Sequence, residues 1–135
     1  MAQSPNKTEP IMDNEYVKAL LAVMQNNNTP SVKDFVDILK QVTAMENQLN
    51  NAVGELSAMR KQLDEARAMN HPALAAMEKA VINTQNFVTD LRDKLAEIKD
   101  NIINGCKNAL DAVKEKGIAT LNNIVGFFKI KPALE

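Results

Sequence analysis

The sequence has few of the residues that hold small, irregular folds together. It contains one Cys and no Trp, aromatic residues make up 4% of its 135 positions, and there are only four Gly and five Pro. A single cysteine excludes an intrachain disulfide framework and any metal site built from several cysteines. The few glycines and prolines leave few positions for turns. These absences favour a small number of long helices and exclude a disulfide-rich secreted domain.

An excess of charge of one sign and long apolar runs are also missing. The formal net charge is -1 with 24% charged residues, so the whole-chain charge does not favour nucleic acid or anionic lipid. No stretch reaches the roughly 20 consecutive apolar residues that a membrane span needs. Residues 1–10 contain no apolar run of the kind found in secretory signals. We therefore expect a cytoplasmic protein.

The apolar residues that are present follow a heptad pattern. Hydrophobic content is 45%, which is enough to form a core in one domain of this length. From Phe35 onward, all ten core positions of five successive heptads are apolar. These positions are Phe35, Ile38, Val42, Met45, Leu49, Ala52, Leu56, Met59, Leu63 and Ala66. The pattern predicts one long helix over residues 32–69.

A second heptad series follows the tripeptide Asn70-His71-Pro72. Its core positions are Leu74, Met77, Val81, Thr84, Val88, Leu91, Leu95, Ile98, Ile102 and Gly105, of which eight are apolar. Proline is tolerated in the first turn of a helix, so a third helix is predicted over residues 72–116, with Asn70 or His71 as its cap. The two helices are predicted to fold back on each other as an antiparallel coiled-coil hairpin.

The two series also predict the register of that hairpin. If core residues meet in layers whose numbers have the constant sum 140, Phe35 faces Gly105 and Ala52 faces Val88. The largest core residue then lies opposite the smallest, so side-chain volumes are complementary along the seam.

The remaining elements are predicted at the open end of the hairpin. A first helix is expected over residues 13–26 with Asp13 as N-cap, after a flexible tail of residues 1–12. Ser31 is predicted as the N-cap of the second helix, with Asp34 as the capping-box acid. After Ile102 the apolar stripe shifts, which predicts a three- to four-helix bundle. The shifted positions are Cys106, Leu110, Val113, Gly117, Leu121, Ile124, Val125 and Phe128.

Gly117 allows two interpretations of the C-terminal part. It ends the third helix as a C-cap before a short helix over residues 118–128, or the helix continues through it. We favour the break. Lys131-Pro132 ends ordered helix in either case, and residues 132–135 form a tail. The predicted fold is all-α, with a single helical domain over residues 13–131.

The reactive side chains do not form a recognisable active site. His71 is the only histidine and lies in the predicted turn, where no second His or Cys joins it. Cys106 lies on a helix face without a neighbouring histidine, as expected of a buried structural cysteine. Phosphate loops, zinc spacings and nucleophile motifs are absent. We predict no catalytic residue, no cofactor and no metal, and therefore no enzyme.

In the absence of a predicted active site, the candidate functional sites are surfaces that could bind a partner. Outer apolar positions and the C-terminal end suggest a partner-binding surface of Leu39, Val53, Phe127, Phe128, Lys129 and Lys131. The amphipathic segment 114–131 has two interpretations: a lid on the bundle, which we favour, or a helix that binds a membrane surface. From residue 99 onward there are six Lys, four acids and no Arg, which argues against nucleic-acid binding by this segment.

Three further segments of the chain are Lys94-Leu95-Ala96-Glu97-Ile98-Lys99-Asp100, Val113-Lys114-Glu115-Lys116-Gly117-Ile118-Ala119 and Phe127-Phe128-Lys129-Ile130-Lys131-Pro132. These segments resemble a family of small uncharacterised helical proteins of gut Firmicutes. The resemblance implies a cytoplasmic bacterial accessory protein associated with mobile or conjugative elements, and it supplies no catalytic residues. The end at Leu134-Glu135 leaves open whether the chain is a fragment of a longer protein.

The function predicted from the sequence is a non-catalytic helical module for protein–protein interaction or scaffolding. The partner is expected to be another protein or, through the apolar outer positions, a second copy of the chain. The alternative is a peripheral membrane or nucleic-acid-associated protein that acts through segment 114–131.

Overall fold

The computed structural model describes residues 9–128, and these residues are predominantly helical. The elements are a short 3-10 helix (Ile11–Asp13), α1 (Glu15–Asn26), α2 (Val32–Ala68), α3 (Leu74–Lys116) and 3-10 turns over Ile118–Phe127. No strand occurs within residues 9–128, which confirms the all-α prediction. The predicted tail of residues 132–135 and the first eight residues of the N-terminal tail lie outside the described part.

The chain divides into two compact units. Unit 1 contains Met1–Ala44 and Leu95–Glu135, and unit 2 contains Met45–Lys94. The helices α2 and α3 therefore contribute residues to both units. The assignment of residues 13–131 to a single domain stays a prediction.

Unit 2 is an antiparallel pair of helices with a narrow apolar seam. Ala52, Leu56, Leu63, Val81 and Val88 are buried in one cluster, against which Leu49, Met59, Leu74 and Met77 pack. Both members of several predicted layers are present, including the layer of Ala52 and Val88. All these residues occupy heptad core positions, so burial of the heptad stripe is what joins the two helices.

Two hydrogen bonds beside the seam support the predicted register of unit 2. Arg60 donates to Oε1 of Gln85 at 2.9 Å, and Arg67 donates to Oε2 of Glu78 at 3.3 Å. Residue numbers in both pairs add to 145, as expected of positions that flank layers with the sum 140. These contacts are exposed, so each contributes little to stability but marks how the helices are aligned.

The turn of unit 2 explains why the two helices end and begin where they do. Asn70 has φ 50°, and the amides of Asn70 and His71 donate to the carbonyls of Arg67 and Ala66. This is the Schellman pattern, in which a residue in the left-handed region closes the helix end. The Nδ1 atom of His71 then accepts from the amide of Ala73 at 3.0 Å. His71, one of the two predicted caps, is thus the residue that caps α3, which begins at Leu74 rather than at residue 72.

The start of unit 1 differs from the prediction. The N-cap of α1 is Asn14 rather than Asp13, because the Asn14 side chain accepts from the amides of Tyr16 and Val17. Asp13 belongs instead to the preceding 3-10 helix. The prediction of a flexible tail up to residue 12 is wrong at its end, since Ile11 is fully buried. Burying this side chain removes it from water and fixes the segment in place.

Unit 1 has its own apolar core, to which α1, the first part of α2, the last part of α3 and the C-terminal residues all contribute. Its buried apolar residues are Ile11, Val17, Leu20, Met24, Phe35, Leu39, Val42, Leu95, Ile102, Ile103, Cys106, Ala109, Leu121, Ile124 and Phe128. Within this unit the predicted helical bundle forms, but the shifted stripe is only partly buried. Leu110 and Val113 are half-buried and Gly117 is exposed, whereas Ala109, outside the stripe, is fully buried.

Residues 118–128, which we call the C-terminal segment, close this core. The Ser31 hydroxyl donates to the carbonyl of Leu121. One helical turn further along α2, the ring of Phe35 stacks on that of Phe128, with centroids 5.6 Å apart and an interplanar angle of 4°. Ser31 also occupies the predicted N-cap position of α2, because it precedes Val32 and its carbonyl accepts from the amide of Phe35. Ser31 and Phe35 therefore both contact the C-terminal segment.

Gly117 ends α3, as we favoured from the sequence. Its φ is 96°, and its amide donates to the carbonyl of Val113 at 2.9 Å. Glycine adopts this left-handed conformation without the steric cost of a Cβ atom. The segment that follows is not the α-helix predicted over residues 118–128, because its 3-10 turns are interrupted at Asn123, with φ -120° and ψ 68°.

Candidate functional site

The six residues predicted to form a partner-binding surface have different environments. Leu39 and Phe128 are buried in the core of unit 1, so their assignment to an exposed surface is wrong. Phe127 is half-buried, whereas Val53 is exposed in unit 2. Lys129 and Lys131 lie outside the described residues. A widened apolar face has the same sequence pattern whether it faces a core or a partner, and for Leu39 it faces the core.

The C-terminal segment packs its apolar face inward. Leu121, Ile124 and Phe128 are all buried in unit 1. A surface helix that binds a membrane needs that face free to enter the lipid. The described conformation therefore favours the lid interpretation of this segment.

One shallow apolar groove is found on unit 1. It has a volume of about 320 Å³ and is lined by Met12, Val36, Leu39, Lys40 and Thr43. Lining residues of α2 recur at helical spacing, and Met12 of the 3-10 helix also lines the groove. The groove contains no carboxylate, histidine or cysteine, so it offers an apolar contact surface and no reactive group.

Unit 2 carries several large apolar side chains in solvent. Ile82 is 58% exposed and Phe87 is 48% exposed on α3, and Val53 and Met69 are also exposed. Ile82 and Phe87 lie outside the heptad core positions, and sequence reasoning missed both. A signal was available: each is a large apolar residue at an outer heptad position, where polar residues are expected in a solvated hairpin.

Cys106 is buried and cannot act readily as a nucleophile. Its side chain is fully inaccessible in unit 1, and burial raises the pKa of the thiol from 9.0 to about 12. The thiolate is the reactive form of cysteine, and desolvation disfavours it. This matches the structural role predicted from the sequence.

The raised pKa of Cys106 makes stability depend on pH in the alkaline range. Below pH 9 the thiol is protonated in both the folded and the unfolded chain, so this group adds no pH dependence. Above that pH the unfolded chain loses the proton while the folded chain keeps it, so stability falls as pH rises toward about 12. The slope from this one group is at most about 1.4 kcal/mol per pH unit.

Denaturant unfolding of the native chain and of Cys106→Ala measures this contribution. We expect the free energy of unfolding to fall more steeply for the native chain between about pH 9 and pH 11, because the variant retains every other titrating group. Parallel curves for the two proteins would show that Cys106 is not desolvated.

Two polar contacts on α3 hold the N-terminal part of unit 1 and were not predicted. The ammonium group of Lys99 is buried and donates to the backbone carbonyl of Glu9. That of Lys107 lies 5.1 Å from the centroid of the Tyr16 ring, a cation–π geometry. Lysines spaced along a helix resemble a solvated face in the sequence, so neither contact has a local signal.

Reactive clusters are not seen in the described part of the chain. Within residues 9–128, no group of three or more His, Cys, Asp or Glu side chains could hold a metal ion. The exposed His71 contributes its Nδ1 atom to the cap of α3. No helix among the described residues is long and apolar enough to cross a membrane.

Comparison with known proteins assigns the chain to a family without assigning an activity. Neither the curated proteins nor the solved structures include a match to it. The sequence profile of DUF6674, a family of unknown function, matches residues 13–135, which is almost the whole chain. The chain belongs to this DUF6674 family.

Proposed function

We propose that the chain is a non-catalytic cytoplasmic module that binds a helix of another protein through the outer faces of unit 2. The observation that carries the proposal is the exposure of Ile82 and Phe87 on α3. A two-helix hairpin buries one stripe of each helix and leaves the other faces uncovered. Large apolar residues on such faces are favourable contacts for a third helix, because pairing removes them from water.

The character of the hairpin supports this proposal. Its buried seam is narrow and includes the small residue Ala52, so the two helices alone enclose little apolar surface. An added partner helix enlarges the core and stabilises the hairpin by mass action. Aromatic side chains are also enriched among the residues that contribute most to protein interfaces, and Phe87 is the exposed aromatic of this unit.

Charge substitutions with controls on the other helix test the proposal. Phe87→Lys and Ile82→Lys place a charge on the proposed surface of α3, whereas Ser57→Lys and Gln62→Lys add the same charge at exposed polar positions of α2. A partner protein is first captured from the source organism with the native chain, and its binding to the native chain is then measured with both proteins purified. We expect Phe87→Lys or Ile82→Lys to weaken this binding at least about tenfold, the effect of about 1.4 kcal/mol.

The four variants should unfold at similar denaturant concentrations, because exposed substitutions usually change stability by no more than about 0.5 kcal/mol. Equal loss of binding in all four would indicate a non-specific effect of charge. Unchanged binding in Phe87→Lys and Ile82→Lys would overturn the assignment of the surface.

We further propose that the module is an accessory protein of Firmicutes encoded with mobile or conjugative elements. This part rests on the resemblance of residues 94–100, 113–119 and 127–132 to such proteins. Gene neighbourhoods of family members test it: genes for transfer, integration or replication should recur beside them, and unrelated housekeeping neighbours would contradict it.

A further inference from the structure

The C-terminal segment occupies a seat that is defined by residues of α2 and α3. Ser31 binds the carbonyl of Leu121, and the Phe35 ring stacks on Phe128. On α3, Gly105 is buried beneath Phe128, so closely that a Cβ atom at this position would overlap the ring. This packing site, the seat, thus combines the hydroxyl donor of Ser31, the stacking ring of Phe35 and the space left by the absent side chain of Gly105.

A single residue directs the segment to this seat. α3 ends at Lys116, and Gly117, with φ 96°, reverses the chain so that residues 118–128 return to their own core. A Cβ atom at Gly117 would have no heavy atom within 4 Å. Packing therefore does not require glycine there, and the left-handed backbone conformation does.

The apolar pattern is also compatible with a straight connection. Buried or half-buried apolar residues recur every three or four positions on each side of the hinge, at Cys106, Leu110, Val113, Leu121, Ile124 and Phe128. The eight positions from Val113 to Leu121 equal two steps of four, with Gly117 at the centre. A helical Gly117 would continue α3 and carry the segment away from its own seat. The seat would then be empty, with Phe35 and Gly105 open to another chain.

We propose that the C-terminal segment can exchange between two copies of this chain, so that each segment occupies the seat of the other copy. The occupant is a second copy because the segment is the one ligand that the structure shows to fit. Exchange keeps the contacts to Ser31, Phe35 and Gly105 and changes the backbone only at Gly117, which is how domain swapping forms dimers at low cost. This inference concerns unit 1 and is independent of the partner surface proposed on unit 2.

Substitution of the hinge tests the exchange. Gly117→Ala disfavours the left-handed conformation and favours the helical one, which together shift the equilibrium by about 30- to 150-fold toward the straight hinge. We expect a dimer in sedimentation and light scattering, with a monomer–dimer dissociation constant at least about tenfold below that of the native chain.

Two controls separate the hinge conformation from other effects of the methyl group. Gly117→Asn should remain as monomeric as the native chain, because asparagine tolerates the left-handed region, as Asn28 and Asn70 do here. Gly54→Ala adds the same methyl group on an exposed helix face, where an added Cβ meets nothing within 4 Å, and should not change the oligomeric state. Dimers of all three variants would overturn the hinge assignment.

We expect the accessibility of Cys106 to report whether the seat is filled. Cys106 follows Gly105 and is fully buried in unit 1, so its alkylation rate should stay low in the Gly117→Ala dimer. Gly117→Ala combined with Phe128→Ala should be monomeric and at least about tenfold more reactive, because the seat lacks its aromatic ligand. A Gly117→Ala variant that remains monomeric would overturn the exchange, whatever the reactivity of its Cys106.

A second measurement uses the native chain and applies even if the hinge variants do not fold. Refolding at millimolar chain concentration and then diluting should leave a dimer fraction that refolding at micromolar concentration does not produce. Monomers alone after both procedures would overturn the proposal.

Discussion

Replacing Phe35 with alanine is expected to remove about 3–5 kcal/mol from the free energy of unfolding, the usual cost of truncating a buried Phe. Phe35 is among the largest fully buried side chains of unit 1 and has no exposed surface. The substitution leaves a cavity beside α2 and also removes the stacked partner of Phe128. Aromatic pairs contribute about 0.5–1.5 kcal/mol beyond their buried area.

The matched control for this prediction is Phe87→Ala. Phe87 is 48% exposed, so its truncation should change the free energy of unfolding by no more than about 1 kcal/mol. Urea unfolding followed by circular dichroism measures both variants against the native chain. Equal effects of the two substitutions would contradict the core position of Phe35.

Loss of Phe35 should also loosen the C-terminal segment. Its aromatic platform disappears while Ser31 still holds Leu121, so the segment is held by fewer contacts. Cys106 should then react with alkylating reagents faster than in the native chain under conditions where α2 and α3 remain folded. Unchanged reactivity would show that the stacked pair does not hold the segment in place.

The hairpin of unit 2 was predictable from the sequence because its determinants are local. Heptad positions on α2 and α3 define the buried stripes, and the turn at Asn70 and His71 follows from short-range chemistry. The constant sum of the layers then followed from complementary side-chain volumes. The exposure of Val53, at the edge of the stripe, was also predictable from its position.

Unit 1 was predictable only in outline, because its decisive contacts join residues far apart in the chain. Ser31 has the sequence context of an N-cap, yet its hydroxyl binds the carbonyl of Leu121, 90 residues away. Leu39 lies on a widened apolar face, and only the tertiary structure shows that the face is covered. Asn14 rather than Asp13 caps α1. Both residue types are preferred at the N-cap, so the sequence alone does not decide between these two neighbours.

The candidate binding surfaces were also predictable only in part, because tertiary contacts decide which apolar residues are exposed. The sequence indicated an interaction module by excluding reactive clusters, and it placed the surface partly at the C-terminal end. The burial of Phe128 moves that emphasis to Ile82 and Phe87 of unit 2, which lie outside the heptad core positions. Periodicity predicts what is buried in a hairpin more directly than it predicts which outer residues bind a partner.

The second substitution with a large expected effect on stability is Gly105→Ala. The sequence predicted only one of the two residues that pack near Gly105. The layer rule paired Gly105 with Phe35, but the volume above Gly105 is filled by Phe128, which stacks on Phe35. A methyl group here would overlap the Phe128 ring and lie 2.6 Å from the carbonyl oxygen of Phe127. Gly105→Ala should therefore displace the C-terminal segment and cost about 1–3 kcal/mol, as overpacked cores do.

The matched substitution Gly54→Ala should have the opposite sign. Both glycines are helical, but a Cβ atom at Gly54 meets nothing within 4 Å. Alanine there should add about 0.5–1 kcal/mol of stability through its higher helix propensity. Because the same propensity gain is present in Gly105→Ala, the difference between the two variants isolates the steric cost at the Phe128 seat. Stabilisation by both substitutions would show that the seat can expand without loss, and the close packing of Phe128 on α3 would then not determine the position of the C-terminal segment.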